Sequence, residues 1–356
     1  FWADFGGNST GVNRTWAGSV FNTINGSTSD SASGGGDMVF AGGATLDSNS
    51  YPAGYGVSTG SSYSGFHSGD NSGTCAKTFY YTGGGDFIAR GASPGGMDAV
   101  STNCSIQLWA NAGQIEFDGR NSSNGLAVQI QRDNNATQSE IFSSSNLSPA
   151  IKFTALSNTG RGFGSGRNQS TANRVLIQNT GTGGVTILGD GGGQDVWDVG
   201  LNSTNILSVG PISITGQGTG WAGGLFTGQV DNATNSTSST LGYCAASTCT
   251  GSRVTNSSAA ISITANRFTS FNPDVSLTVN TAGAFSFVPS DAAGFSEFKV
   301  SGQGLSFSTD CTGVTIGKDQ STNVATNDNQ NIKPNIRISG PCLLYTSDAA
   351  DDLLCV

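Results

Sequence analysis

The chain has 356 residues, a net charge of −9 and 53 Gly, and only 11% of its residues are charged, against a usual share of about 25%. Lys and Arg are scattered singly, which excludes the basic stripe of a nucleic-acid binder, and no apolar run approaches the ~18 residues of a membrane-spanning helix. Abundant Gly, Ser, Thr and Asn leave disorder or a repetitive β architecture; 19 Phe and regular hydrophobic alternation point to the second.

The chain opens on Phe1 with no basic segment leading into an apolar one, and reads as a fragment of something longer. Residues 1–80 are the least regular, although Gly-Gly-Gly-Asp-Met-Val-Phe at 34–40 is echoed by Gly-Gly-Gly-Asp-Phe-Ile-Ala at 83–89. From Gly113 onward short alternating segments recur. Ile115-Glu116-Phe117, Val185-Thr186-Ile187, Ile212-Ser213-Ile214, Ile261-Ser262-Ile263 and Val275-Ser276-Leu277-Thr278-Val279 come first. Phe285-Ser286-Phe287, Leu305-Ser306-Phe307, Val314-Thr315-Ile316 and Ile336-Arg337-Ile338 follow. Each sets a large apolar residue against a polar one, the period of a strand with one buried face. Each is bounded by turn formers.

Val128, Ile151 and Val175 open similar triplets at near-equal steps, within the ~20–30 residues of a solenoid rung. No i, i+3, i+4 apolar stripe supports a helix. The expected fold is therefore all-β: a right-handed parallel β-helix, or β-solenoid, over residues 1–341. The polar stretch 229–257 is expected to loop out of it. A β-sandwich accommodates the strands too, but fits less well with so many similar short strands over this length.

The last fifteen residues, 342–356, carry no Gly, no Asn and three Asp. They resemble a translated transposase sequencing adapter and are set aside from fold reasoning. The cysteines that remain are Cys75, Cys104, Cys244, Cys249 and Cys311.

The phrases Gly210-Pro211-Ile212-Ser213-Ile214-Thr215-Gly216, Ala260-Ile261-Ser262-Ile263-Thr264-Ala265 and Ala282-Gly283-Ala284-Phe285-Ser286-Phe287 resemble those of bacterial filamentous-haemagglutinin-like exoproteins. The resemblance covers roughly residues 104–341. It implies a right-handed parallel β-helix from a giant Gram-negative exoprotein, extracellular or on the cell surface. It further implies adhesion or biofilm formation, host or environmental glycans or surfaces as partners, and an outer-membrane secretion partner for the full-length protein. It carries no catalytic residue, and neither a cofactor nor a metal is expected.

Cys244 and Cys249 flank four residues, a spacing that suits a small disulfide-closed loop. Zinc is the competing reading, but paired CxxC motifs are missing and there is a single histidine. Such a disulfide agrees with an extracellular setting. Cys75 and Cys104 could form a second bridge. His67 lies in a loop-like context with no nucleophile elbow nearby and reads as a surface histidine. The alternative function is a β-helix polysaccharide-degrading enzyme or a phage tailspike-like glycan-binding protein. That reading needs close carboxylates, and Asp195, Trp197 and Asp198 are its best cluster, although a turn and a rung corner account for them better. Gly189 to Asp195 is similar to a calcium-binding nonapeptide, in one copy with the wrong spacing. Asn-x-Ser/Thr sequons, Asn121, Asn202 and Asn256 among them, arise from composition. An ice-binding solenoid would need regular Thr ladders, and the Thr spacing along this chain is irregular.

Overall fold

A computed structural model describes residues 2–3, 13–24, 28–29, 31–58, 64–69, 76–131, 137–166, 175–192, 197–217, 225–227, 238–244, 249–265, 267–270, 276–288, 299–301, 305–307 and 311–316. The described residues form strands and turns, without a helix. The strands build three sheets of twelve, nine and nine strands. Except for an antiparallel pairing of Met38–Leu46 with Pro52–Gly54, every strand pair is parallel.

The chain visits the sheets in turn. Val100–Thr102 lies in sheet I, Ile106–Asn111 in sheet II and Ile115–Asn121 in sheet III. The next three strands, Val128–Ile130, Ser139–Ser143 and Ile151–Ser157, each pair with their counterpart three strands earlier. This order holds through Gly313–Ile316. Val128, Ile151 and Val175, which look like successive repeats in the sequence, therefore lie in three different sheets. Partners within a sheet are further apart and unevenly spaced, because the connections between strands vary in length.

Alternation explains sheet III. Inward residues form two continuous columns. One runs Met38, Phe87, Ile115, Ile151, Val185, Ile212, Ile261, Phe285 and Val314. The other includes Phe40, Phe117, Phe153, Ile187, Ile214, Ile263 and Phe287, all buried. Phe117 and Phe153 stack with ring centroids 5.3 Å apart, and Phe163 of sheet I meets Phe153 edge-on at 5.0 Å. Burying each such ring contributes about 1.5–3 kcal/mol.

The corners explain the small polar residues. Beyond its inward aromatics sheet III carries Gly91, Gly119, Ala155 and Gly189 in register. There the chain turns back toward sheet I, and a Cβ on Gly119 would sit 1.9 Å from the Ala127 carbonyl oxygen. Only glycine admits so close a backbone approach. At the other corner Asn111, Ser143, Asn179 and Ser208 stack in register, all buried. Asn179 Nδ2 donates to the Gly181 carbonyl (2.8 Å) and Ser143 Oγ to that of Gly113 (2.8 Å). These side chains satisfy turn carbonyls that would otherwise be buried without partners.

The outward column of sheet III changes character along the stack: Glu116 and Lys152 give way to Thr186, Ser213, Ser262, Ser286 and Thr315. A spacing that is irregular in sequence is thus a register-matched hydroxyl column in space, because the uneven connections absorb the difference.

Candidate functional site

Outward side chains of sheets II and III and the excursions between strands carry the polar chemistry. Among the first strands, residues 41–55 leave sheet III as an excursion that includes the Pro52–Gly54 strand, and the chain rejoins beside Gly91 and Ala92. The excursion is fastened to the outer face by charge. Arg90 Nη1 and Nη2 each donate to Asp47 Oδ2 (3.3 Å), Nη1 to the Pro52 carbonyl (2.8 Å), and Nε to Glu116 Oε1 (3.2 Å). Tyr55 donates to Asp118 Oδ2 (2.9 Å), while Arg120 Nε lies 2.9 Å from Asp118 Oδ1. Tyr51 donates to Asp37 Oδ2 (2.5 Å), which with burial holds its phenol well above the ordinary range.

Glu116 and Asp118 project from the same face of one strand, two residues apart. Each engages a guanidinium, so the pair is arranged as ion pairs and not as an acid and base facing a substrate. Burial raises the carboxyl pKa of Asp86 and of Asp190.

Trp197 and Asp198 come together at a corner between sheets III and I, while Asp195 lies outside the described residues. Asp198 is fully buried; its Oδ1 accepts from Gly191 N (2.8 Å) and its carbonyl from Phe163 N (2.8 Å). The Arg161 guanidinium stacks 4.0 Å from the Trp197 ring, whose Nε1 would lie 2.6 Å from a Cβ on Gly200. Both residues thus shape the turn. His67, expected at the surface, is 1% exposed. It points out of sheet I between Arg14 and Ser101 and is covered.

Cys244 and Cys249 form a disulfide with Cα atoms 5.9 Å apart. Cys104 is buried and disulfide-bonded; Cys75 lies outside the described residues. Cys311 is buried, its Sγ 3.3 Å from the Gly313 carbonyl oxygen. Among the described residues no three His, Cys, Asp or Glu side chains converge as a metal site.

The described parts of the 229–257 segment do not stand away from the strands. After Gly242, residues 243–244 and 249–257 lie on the outer face of sheet II. Cys244 and Val254 bury themselves on Leu176 and Leu207, and Gln178 accepts from Arg253 N (3.0 Å) and donates to the Gly251 carbonyl (3.2 Å). The strap carries Arg253 onto a row of aromatics. Its guanidinium carbon is 4.2 Å from the Phe142 centroid and 5.1 Å from that of Trp109, and Nη2 is 3.1 Å from Glu140 Oε1. Tyr81 packs edge-on to Trp109 at 5.4 Å. Burial lowers the Lys77 pKa, partly offset by the Glu140 charge. Beside the strap, Tyr243, Thr255, Asn256, Ser257, Ser258 and Ala282 line an open depression of about 310 Å³.

Sequence reasoning passed over this cluster because its members are dispersed along the chain; the local hint was a lone Arg four residues after Cys249. No family model, no curated protein and no solved structure matches this chain.

Proposed function

We propose that this chain is a stretch of right-handed parallel β-helix from a large secreted or surface-exposed bacterial exoprotein of the filamentous-haemagglutinin-like kind, serving as a stiff structural and adhesive segment in attachment or biofilm formation. The observation that carries the reading is the pairing of each strand from Val100–Thr102 through Gly313–Ile316 with the third strand before it. A chain that keeps this order coils, and parallel crossovers are right-handed in about 98% of cases. With about 4.8 Å between neighbouring strands, each coil extends the stack along one axis. Side chains then serve mainly to hold the stack, and contacts with glycans or surfaces fall to outward columns and excursions. The Cys244–Cys249 disulfide accords with an oxidising, extracellular setting.

The test is a binding assay on the purified chain, using a glycan array, polystyrene and glass surfaces, and self-association by light scattering. Retention on at least one is expected. Binding to none of them sinks the adhesive part of the proposal. Release of reducing ends from a polysaccharide would replace it with the β-helix enzyme or tailspike-like reading.

A further inference from the structure

We infer that Trp109, Phe142 and Glu140 form a receptor for a peptidyl arginine, and that Arg253 is this chain's own plug in it. Two segments distant in sequence are brought together here by register. Trp109 and Phe142 are direct partners on adjacent strands of sheet II, and Glu140 lies two residues before Phe142 on the same outward face. Two rings and one carboxylate on a single face are the components of a cation cage. Arg253 fills it from outside the sheet, stacked over Phe142 and Trp109 and paired with Glu140.

The cage suits a guanidinium better than an ammonium. A flat, weakly hydrated cation can lie over a ring and still direct an edge N–H at the carboxylate, which a point charge cannot. Trp109 adds a second recognition element. Its Nε1 is buried and makes no hydrogen bond among the described residues, so a donor stands ready for an acceptor such as a peptide carbonyl.

The plug is held by its tether. Val254 is buried against Leu176, Leu207 and Cys244, Cys244 N donates to its carbonyl (3.0 Å), and the disulfide closes the loop directly before the strap. A short tether gives an intramolecular group an effective concentration in the millimolar range or above. A single exposed cation–π and ion-pair contact binds a free ligand no tighter than that. The plug therefore keeps the cage occupied, and an arginine from another chain gains entry when the strap is displaced. Arg253→Met keeps an apolar stem on Phe142 and empties the cage of charge.

The probe is N-acetyl-arginine amide, titrated against the full chain with tryptophan fluorescence as readout. R253M is expected to bind it roughly tenfold more tightly than the unsubstituted chain, the relief from an effective concentration about ten times the dissociation constant. Adding E140Q or W109F to R253M should abolish the gain. C244S/C249S, which loosens the tether and leaves the cage and Arg253 in place, should give an affinity between the two, and serves as the test should R253M not fold. Equal binding by the unsubstituted chain and both variants overturns the inference, as does a gain that survives E140Q. N-acetyl-lysine amide binding R253M as tightly as the arginine probe would overturn the guanidinium assignment.

Discussion

Phe153→Ala tests whether the aromatic column holds the stack together. The ring is fully buried, lies parallel to Phe117 at 5.3 Å with 5° between planes, and is met edge-on by Phe163 at 5.0 Å. Removing a buried Phe costs about 3–5 kcal/mol through lost transfer energy and the cavity left behind. Two aromatic contacts place this site toward the upper end, and the neighbouring strands are fixed by their own hydrogen-bonded ladders, so the cavity cannot close cheaply. The expected loss is about 4 kcal/mol, close to a thousandfold in the folded-to-unfolded ratio. Urea unfolding followed by far-ultraviolet circular dichroism measures it. Leu156→Ala is the control, since Leu156 lies on the outward face of the same strand; it should cost under about 1 kcal/mol. A transition that also broadens would fit a stack whose rungs contact only their neighbours. A loss below about 1 kcal/mol, or one matched by L156A, would refute the central position of Phe153.

Gly119→Ala drives a Cβ to 1.9 Å from the Ala127 carbonyl oxygen and should destabilise by about 1–3 kcal/mol or more, whereas Gly36→Ala, with nothing within 4 Å of the added carbon, should stay within about 0.5 kcal/mol; paired urea titrations decide. Burial pushes the Tyr80 phenol up to about 12, against hydrogen bonds to Ser68 and Thr15 that act the other way. Its folded value lies above the unfolded 10.0, so stability is intact below pH 10 and declines as pH rises toward about 12. Tyr80→Phe should flatten that alkaline decline in melts run across the interval, and an unchanged slope would remove Tyr80 as its cause. C244S/C249S opens a six-residue loop whose closure is worth roughly 2 kcal/mol in the chain-entropy account. Tryptic cleavage after Arg253 should accelerate markedly, and an unchanged rate would mean that packing alone fastens the strap.

The legible parts of this fold are those in which one face of a strand is buried and the other wet. Ile115-Glu116-Phe117, Ile212-Ser213-Ile214 and Phe285-Ser286-Phe287 alternate in sequence because sheet III alternates in space. Sheet I is harder to see. Val100–Thr102 and Phe163–Ser165 are three residues long and buried throughout, so they show no period in the sequence. Unequal connections hide the register, which is why Thr186, Ser213 and Ser262 show no ladder until their strands are paired. The turn-and-corner reading of Trp197 and Asp198 was available from the sequence, but the burial of Asp198 was not, because a buried aspartate that accepts a backbone N–H has the same local sequence as one that faces a ligand. Nothing local could have joined Arg253 to Trp109, since that contact is made by an excursion returning to a face built more than a hundred residues earlier.

A stack of this kind separates stability from recognition. Each set of three strands needs inward residues of suitable size, glycine where the chain turns tightly, and small polar groups at the corners; these demands consume most of a low-charge sequence. What remains free to vary is the outward face and the length of the connections. Charge follows that division. Arg90, Glu116, Asp118, Arg120, Glu140 and Arg253 all belong to outward faces or excursions, and each engages a partner across strands or from an excursion. Ion pairs at such half-exposed positions contribute little to stability, so their value lies in fixing where an excursion sits. The excursion at 41–55 is fixed on sheet III by Arg90 and Asp118, and the strap at 249–257 on sheet II by Glu140 and Gln178. Both leave the hydrogen-bond ladder beneath them intact. Selection can therefore rebuild an excursion without disturbing the core, and ligand specificity is best sought first where such a segment crosses an outward column.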